Sequence, residues 1–146
     1  MKDAQQRFRR IESFFCSVCS MSELPSLMSF LNDTGYSVFS LECSCIDDKK
    51  SFILSVYRGL LISEGNEDNV GSWDVFDDKL WEILMVMESR RIALIMRNFD
   101  ILATKDFSLL IDCIQVMHCV AIQLHGNVNV KPVRFRVVLL GDLVTA

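Results

Sequence analysis

Arg90-Arg91-Ile92-Ala93-Leu94-Ile95-Met96-Arg97-Asn98-Phe99-Asp100 is the stretch on which the fold turns. Ile92 to Met96 form a short unbroken apolar run bounded by charge. It lacks the alternation that a strand with one wet face would show. Such a run reads as a strand covered on both sides, the situation of a parallel sheet. Asn98-Phe99-Asp100 then turns the chain. Arg134 to Leu140 is a second strand, rich in β-branched and aromatic residues. A third starts at Ser37, where Phe39, Leu41, Cys43 and Cys45 alternate with Val38, Ser40, Glu42 and Ser44, giving one strongly apolar face.

The intervening segments read as helices. Asp47 and Asp48 suit a helix start, and Phe52, Ile53, Val56, Tyr57 and Leu60 make an apolar stripe down the helix that begins there. Residues 63–71 form an acidic loop with two glycines. Ser72 is an N-cap for a helix running to about Met87, and a further helix spans about Lys105 to Leu124. A loop with Gly126 and Pro132 closes the set, over residues 125–133. The order strand, helix, helix, strand, helix, strand favours parallel pairing through right-handed crossovers. The expectation is an α/β fold: a three-stranded parallel sheet packed against helices. Ahead of it, residues 3–19 predict a helix with Phe8, Ile11, Phe15 and Val18 on one face and Lys2, Arg7, Arg9 and Arg10 on its polar side. A shorter helix comes next from Ser22, with Pro25 in its first turn and an end near Asn32 to Gly35. The chain thus reads as a single domain over 1–146, with residues 1–35 a helical N-terminal addition to a core at 36–141.

Composition agrees with this class. A chain of 146 residues, 51% hydrophobic and with two prolines, buries roughly two thirds of its unfolded surface and needs no metal or disulfide to close a core. Disorder and fibrous repeats are excluded at this apolar fraction. The most apolar stretch, Phe107 to Leu124, is interrupted by Asp112, Gln115 and His118, short of the ~20 apolar residues of a membrane span. Glu12 interrupts the apolar part of the N-terminus, and no small-residue cleavage site comes after it, so a signal peptide is not expected. The chain therefore reads as cytoplasmic, with no membrane partner. In that compartment the six cysteines are read as free, mostly buried thiols. Cys16-x-x-Cys19 and Cys43-x-Cys45 offer four thiolates for zinc, but a core strand explains Cys-x-Cys equally. No cofactor is expected.

Charge is the uneven feature. The net charge is −4, yet residues 64 to 82 hold Glu64, Glu67, Asp68, Asp74, Asp77, Asp78 and Glu82 against one basic residue, Lys79. That field opposes direct nucleic-acid binding and favours a basic partner. On a helical wheel Phe76, Leu80, Ile83, Leu84 and Met87 cluster on one side, the packed one. Asp74 and Asp78 lie one turn apart on the other, flanked by Asp77 and Glu82, and Trp81 falls among them. A large aromatic among carboxylates is the composition of an interface anchor. The helix dipole stabilises Asp74 in the first turn but not Asp78, whose repulsion from Asp74 at i,i+4 costs the helix a few tenths of a kcal/mol.

Catalytic use of the pair would need a pocket that separates their pKa values. No phosphate-binding glycine loop, His-Glu-x-x-His or nucleophile elbow occurs. His118 shares a helical face with Phe107, Ile111 and Ile114, the place of a core or boundary histidine, and His125 falls in a loop. The chain is not read as an enzyme.

From Tyr36 to Gly141 the chain resembles the barstar family of intracellular inhibitors of barnase-type ribonucleases. The likeness rests on Ser72-Trp73-Asp74-Val75-Phe76-Asp77-Asp78-Lys79-Leu80, similar to the family's Asn-Trp-Asp-Ala-Phe-x-Asp-x-Leu segment, and on its place after the first long helix. It rests too on Ile92 to Asp100, which matches the family's next strand and exit before a helix and final hydrophobic strand. The resemblance implies a barstar-like fold, monomeric when free. It implies an immunity protein that binds a cognate basic nuclease toxin domain one-to-one, Asp74 and Asp78 entering the toxin's cleft. Asp77, Trp81 and Glu82 would extend that contact, the loop carrying Glu64, Glu67 and Asp68 would cover the rim, and Trp73 would pack at the loop–helix junction. Ser72 stands where the family usually has Asn, Glu67-Asp-Asn-Val-Gly71 replaces its aromatic-Pro-x-aromatic-Gly approach, and Asp77 replaces an aromatic. The target surface is accordingly expected to differ from barnase, with RNase, DNase and tRNase toxins all open. A non-inhibitory structural or regulatory binding module on the same scaffold is the alternative. The basic side of the N-terminal helix, Lys2, Arg7, Arg9 and Arg10, reads first as a solvated face over an apolar stripe that packs on the domain. Contact with RNA or membrane, complementation of the acidic region and extension of the toxin interface are the alternatives.

Overall fold

A computed structural model of the chain describes residues 2–60, 72–126 and 132–142, with side chains from residue 6 onward. In order, the elements are α1 (Lys2–Ser13), β1 (Cys16–Cys19), α2 (Leu24–Asp33), β2 (Ser37–Glu42), α3 (Lys49–Gly59), α4 (Trp73–Val86), β3 (Arg91–Arg97), α5 (Phe99–Lys105), α6 (Phe107–Gly126) and β4 (Arg134–Leu140). The fold is α/β with a parallel sheet, but the sheet has four strands, in the order β1-β4-β3-β2, where three were expected. The extra strand is Cys16–Cys19, read from sequence as the end of a helix. Four residues are too few to establish a period of two. Moreover its inward positions include a serine, Ser17, which is buried beside Cys19 while Val18 stays exposed.

The connections explain the layers. From β1 to β2 the chain crosses the whole sheet, and from β2 through β3 to β4 it steps back. Right-handed crossovers place connections of opposite direction on opposite faces. One face of β3 and β4, presenting Ala93, Ile95, Val138 and Leu140, is covered by Phe8 and Ile11 of α1 and by Leu27, Phe30 and Leu31 of α2. The other, presenting Ile92, Leu94, Met96, Phe135, Val137 and Leu139, is covered by α3, α4, α5 and α6. The reading of Ile92 to Met96 as a strand covered on both sides holds. So does the α3 stripe, all five of whose residues are buried.

Local chemistry sets several boundaries. Asp48 and Ser51 form a reciprocal cap at the start of α3. Gly35, at φ +83°, ends α2 in the left-handed region that glycine enters without a Cβ clash. β2 stops at Glu42, short of the expected end of the strand. The Glu42 carboxylate accepts from the Ser44 amide and from Asn98 Nδ2, and Cys43–Cys45 curl into a 3-10 turn. Cys43 is therefore buried and Cys45 exposed, not two thiols on one strand face. All six cysteines are free, and burial pushes the Cys16 thiol up to about 11. No group of three His, Cys, Asp or Glu suited to a metal occurs among the described residues.

The helix expected from about Lys105 to Leu124 is α6. A short helix not expected from sequence, α5, precedes it where the sequence indicates only a turn at Asn98 to Asp100. Asp106 separates the two, and its Oδ1 accepts from the Leu109 amide at 3.0 Å as the cap of α6. α6 is 20 residues long and, by length and composition, apolar enough to cross a membrane, yet Leu109, Leu110, Cys113, Met117, Val120 and Leu124 lie in the core. The face carrying Phe107, Ile111 and His118 points outward, contrary to the expected core or boundary position. His118 is exposed, its ring stacked on Phe15 at 4.9 Å. His125 belongs to the last turn of α6, not to a loop.

Candidate functional site

α4 is held as a rigid ridge. Ser72 Oγ accepts from the Val75 amide at 3.4 Å, capping the first turn. Phe76, Leu80 and Leu84 are fully buried, locking one side of the helix against α3, α6 and the sheet. Ile83 and Met87, assigned to that side by the wheel, are half-buried at its margin. The Trp73 ring packs at the start of the helix, 6.0 Å from both Phe52 and Phe76, with Lys49 Nζ 5.6 Å above it. The loop against which the junction was expected lies outside the described residues.

The opposite side carries the carboxylates. Asp74, Asp78 and Glu82 are exposed, and Asp77 is half-buried between them and the packed side. Burial raises the Asp77 pKa above its ordinary value, and the charges of Asp78 and Asp74 raise it further. Lys79, the only basic residue of α4, has its ammonium 4.8 Å from the centre of the Tyr57 ring on α3. Glu64, Glu67 and Asp68 lie outside the described residues.

Trp81 is the residue whose setting differs most from the sequence reading. The indole is half-buried, packed on one side against the main core. Its accessible part, with Asp78, Glu82 and Gln123 of α6, lines a surface hollow of about 400 Å³. Two residues thereby join the candidate surface that sequence reasoning missed. Gln123 comes from a helix remote in sequence, and no local signal marks it. Val75, 40% exposed beside Asp74, was legible, because it falls off the packed side of the wheel.

Asp74 and Asp78 lie on the exposed side of the helix, Asp78 at the edge of the hollow. An exposed row of carboxylates on a rigid helix, bordered by an aromatic hollow, has the chemistry to receive cationic side chains. No family model matches the chain, and no similar curated protein is found.

Proposed function

We propose that this chain is an immunity protein that inhibits a nuclease toxin, most directly a ribonuclease, by presenting α4 to the toxin's basic active-site cleft. The observation that carries the reading is the pairing on one helix of a fully buried side, Phe76, Leu80 and Leu84, with an exposed side bearing Asp74 and Asp78. The packed side fixes the helix, and the order of the carboxylates along it mimics a row of RNA phosphates. Three strands joined by helical connections from residue 37 to 140 also accord with the barstar-like architecture that the α4 segment implies. The inhibitor acts in the cytosol of the producing cell as a monomer, in a one-to-one complex without cofactor. Charge complementarity speeds the encounter by ~10–10³-fold, and the helix body blocks substrate.

The test pairs wild-type chain with an Asp74→Ala/Asp78→Ala variant of verified fold, each titrated against purified nuclease toxin domains. One nuclease is expected to lose activity at a one-to-one ratio. Each aspartate is expected to contribute ~2–5 kcal/mol to that complex, because its removal strands a desolvated cation. Equal inhibition by both proteins would show that α4 is not the binding face.

A further inference from the structure

α6 is the longest described helix, and well under half of it is buried although its composition is that of a core helix. Its outward side carries Phe107, Ile111, Gln115, His118 and Ile122, which recur at spacings of four and three along one stripe. Phe107 is 62% exposed, Ile122 59% and Ile111 37%. Asp112, the only acidic residue of α6, falls to one side of that stripe, and the helix holds no Lys or Arg. The Phe15 ring stacked on His118 brings the start of β1 against the stripe, and Val18 of that strand is exposed as well. The result is a broad apolar surface without a formal charge at its centre, the kind that marks an interaction face.

The order of the stripe says what fits it. Turned end for end about a point beside Gln115, Phe107 falls on Ile122 and Ile111 on His118, large side chains opposite large ones. Gln115 falls on itself, and its amide holds both donors and an acceptor, so two copies of it can pair across a twofold axis. A twofold interface requires a surface that complements itself in this way, whereas an unrelated partner does not. An anionic lipid surface would call for basic residues beside the apolar ones, and α6 has none.

We propose that two copies of this chain pair antiparallel through α6, about a twofold axis at Gln115. Phe107, Ile111 and Ile122 of each copy leave water against the stripe of the other, and no ion pair is needed. The pairing does not rest on the reading of α4, and it replaces the monomer that the resemblance implies for the free chain. Gln123, next to Ile122, lines the Trp81 hollow, so the second copy reaches the border of the α4 face. The pair is thus a resting form of the free chain, and the toxin-bound form is the monomer.

The test is sedimentation velocity of the full chain from low micromolar to near-millimolar concentration. The mass is expected to rise from that of one chain, 16.7 kDa, to that of two, and to do so equally in high salt. Ile122→Glu should weaken the association about tenfold or more, because the change enters a twofold interface twice, and should leave the unfolding temperature of the monomer unchanged. Adding Phe107→Lys to that variant should recover most of the association, since antiparallel pairing sets each lysine against a glutamate of the second copy. Asp74→Ala/Asp78→Ala should pair like wild type, which keeps this result separate from the fate of the α4 reading. A single-chain mass at every concentration, association of Ile122→Glu as tight as that of wild type, or no recovery in the double variant would each overturn the proposal. A monomer that cosediments with phosphatidylglycerol vesicles would assign the stripe to a lipid surface and overturn it too.

Discussion

Asp77 concentrates the electrostatic cost of the acidic helix. Its carboxyl, partly buried and beside Asp78 and Asp74, keeps its proton to a higher pH in the folded protein than in the unfolded chain. At neutral pH the ionised group therefore works against folding, and that penalty fades as the pH falls through the raised pKa. Asp77→Asn should raise stability at pH 7 by roughly 0.2–0.5 kcal/mol, the size of a like-charge helix pair. In urea unfolding the gain should vanish well below the ordinary Asp value of 3.8. Gly59 is a second residue with a defined cost. A Cβ there would meet the Ser40 carbonyl oxygen at 2.8 Å, and a backbone atom of β2 cannot swing aside. Gly59→Ala should cost about 1–3 kcal/mol in the same measurement, by forcing α3 off the strand. At this scale the wheel put Trp81 beside Asp78 and Glu82, where the structure has it, but not its half-burial against the core. Helical period gives the angle of a side chain about its own axis but not the place of a neighbouring helix, and α6 makes one wall of the Trp81 hollow.

Elements were legible where a full period or a cap fell inside the window. α3 and α4 begin at the residues that Asp48 and Ser72 mark, because capping is a contact across three residues. The start of α6 has the same cause, whereas α5, seven residues long, is too short to show a helical period and reads from sequence only as a turn. Asp106→Ala should cost about 1 kcal/mol, seen as a lower midpoint in chemical denaturation, through loss of the acceptor for the Leu109 amide. β2 ends early for a reason no window could contain, since Asn98, 56 residues away, helps hold the Glu42 carboxylate that turns the chain. β1 exists because β4 offers it an edge, pairing Cys16 to Cys19 with Val137 to Leu140. Its own four residues carry no strand signal.

The whole molecule is joined across its layers by Glu12, whose two partners lie 79 and 122 residues away. Burial alone would raise its pKa, but hydrogen bonding and attraction from Arg91, then Arg134, prevail and hold it below the ordinary 4.5. A carboxyl lowered in the fold adds stability above its unfolded value and loses that contribution as the pH falls through the folded one. Glu12→Gln should therefore be less stable than wild type at pH 7 by ~1 kcal/mol, given the partial exposure of the pair. In a pH series of unfolding curves the deficit should narrow below 4.5, the opposite sign to the Asp77 effect. By itself the sequence determined the α/β class, the doubly covered strand at Ile92 to Met96, the stripe of α3 and the acidic outer side of α4. Each depends on side-chain period, caps and charge within a few turns of chain. Only the tertiary structure decided the fourth strand, the second helical layer, the outward face of α6, the Trp81 hollow and the arginine cluster around Glu12. Those depend on which distant segments meet, and local pattern carries no record of that pairing.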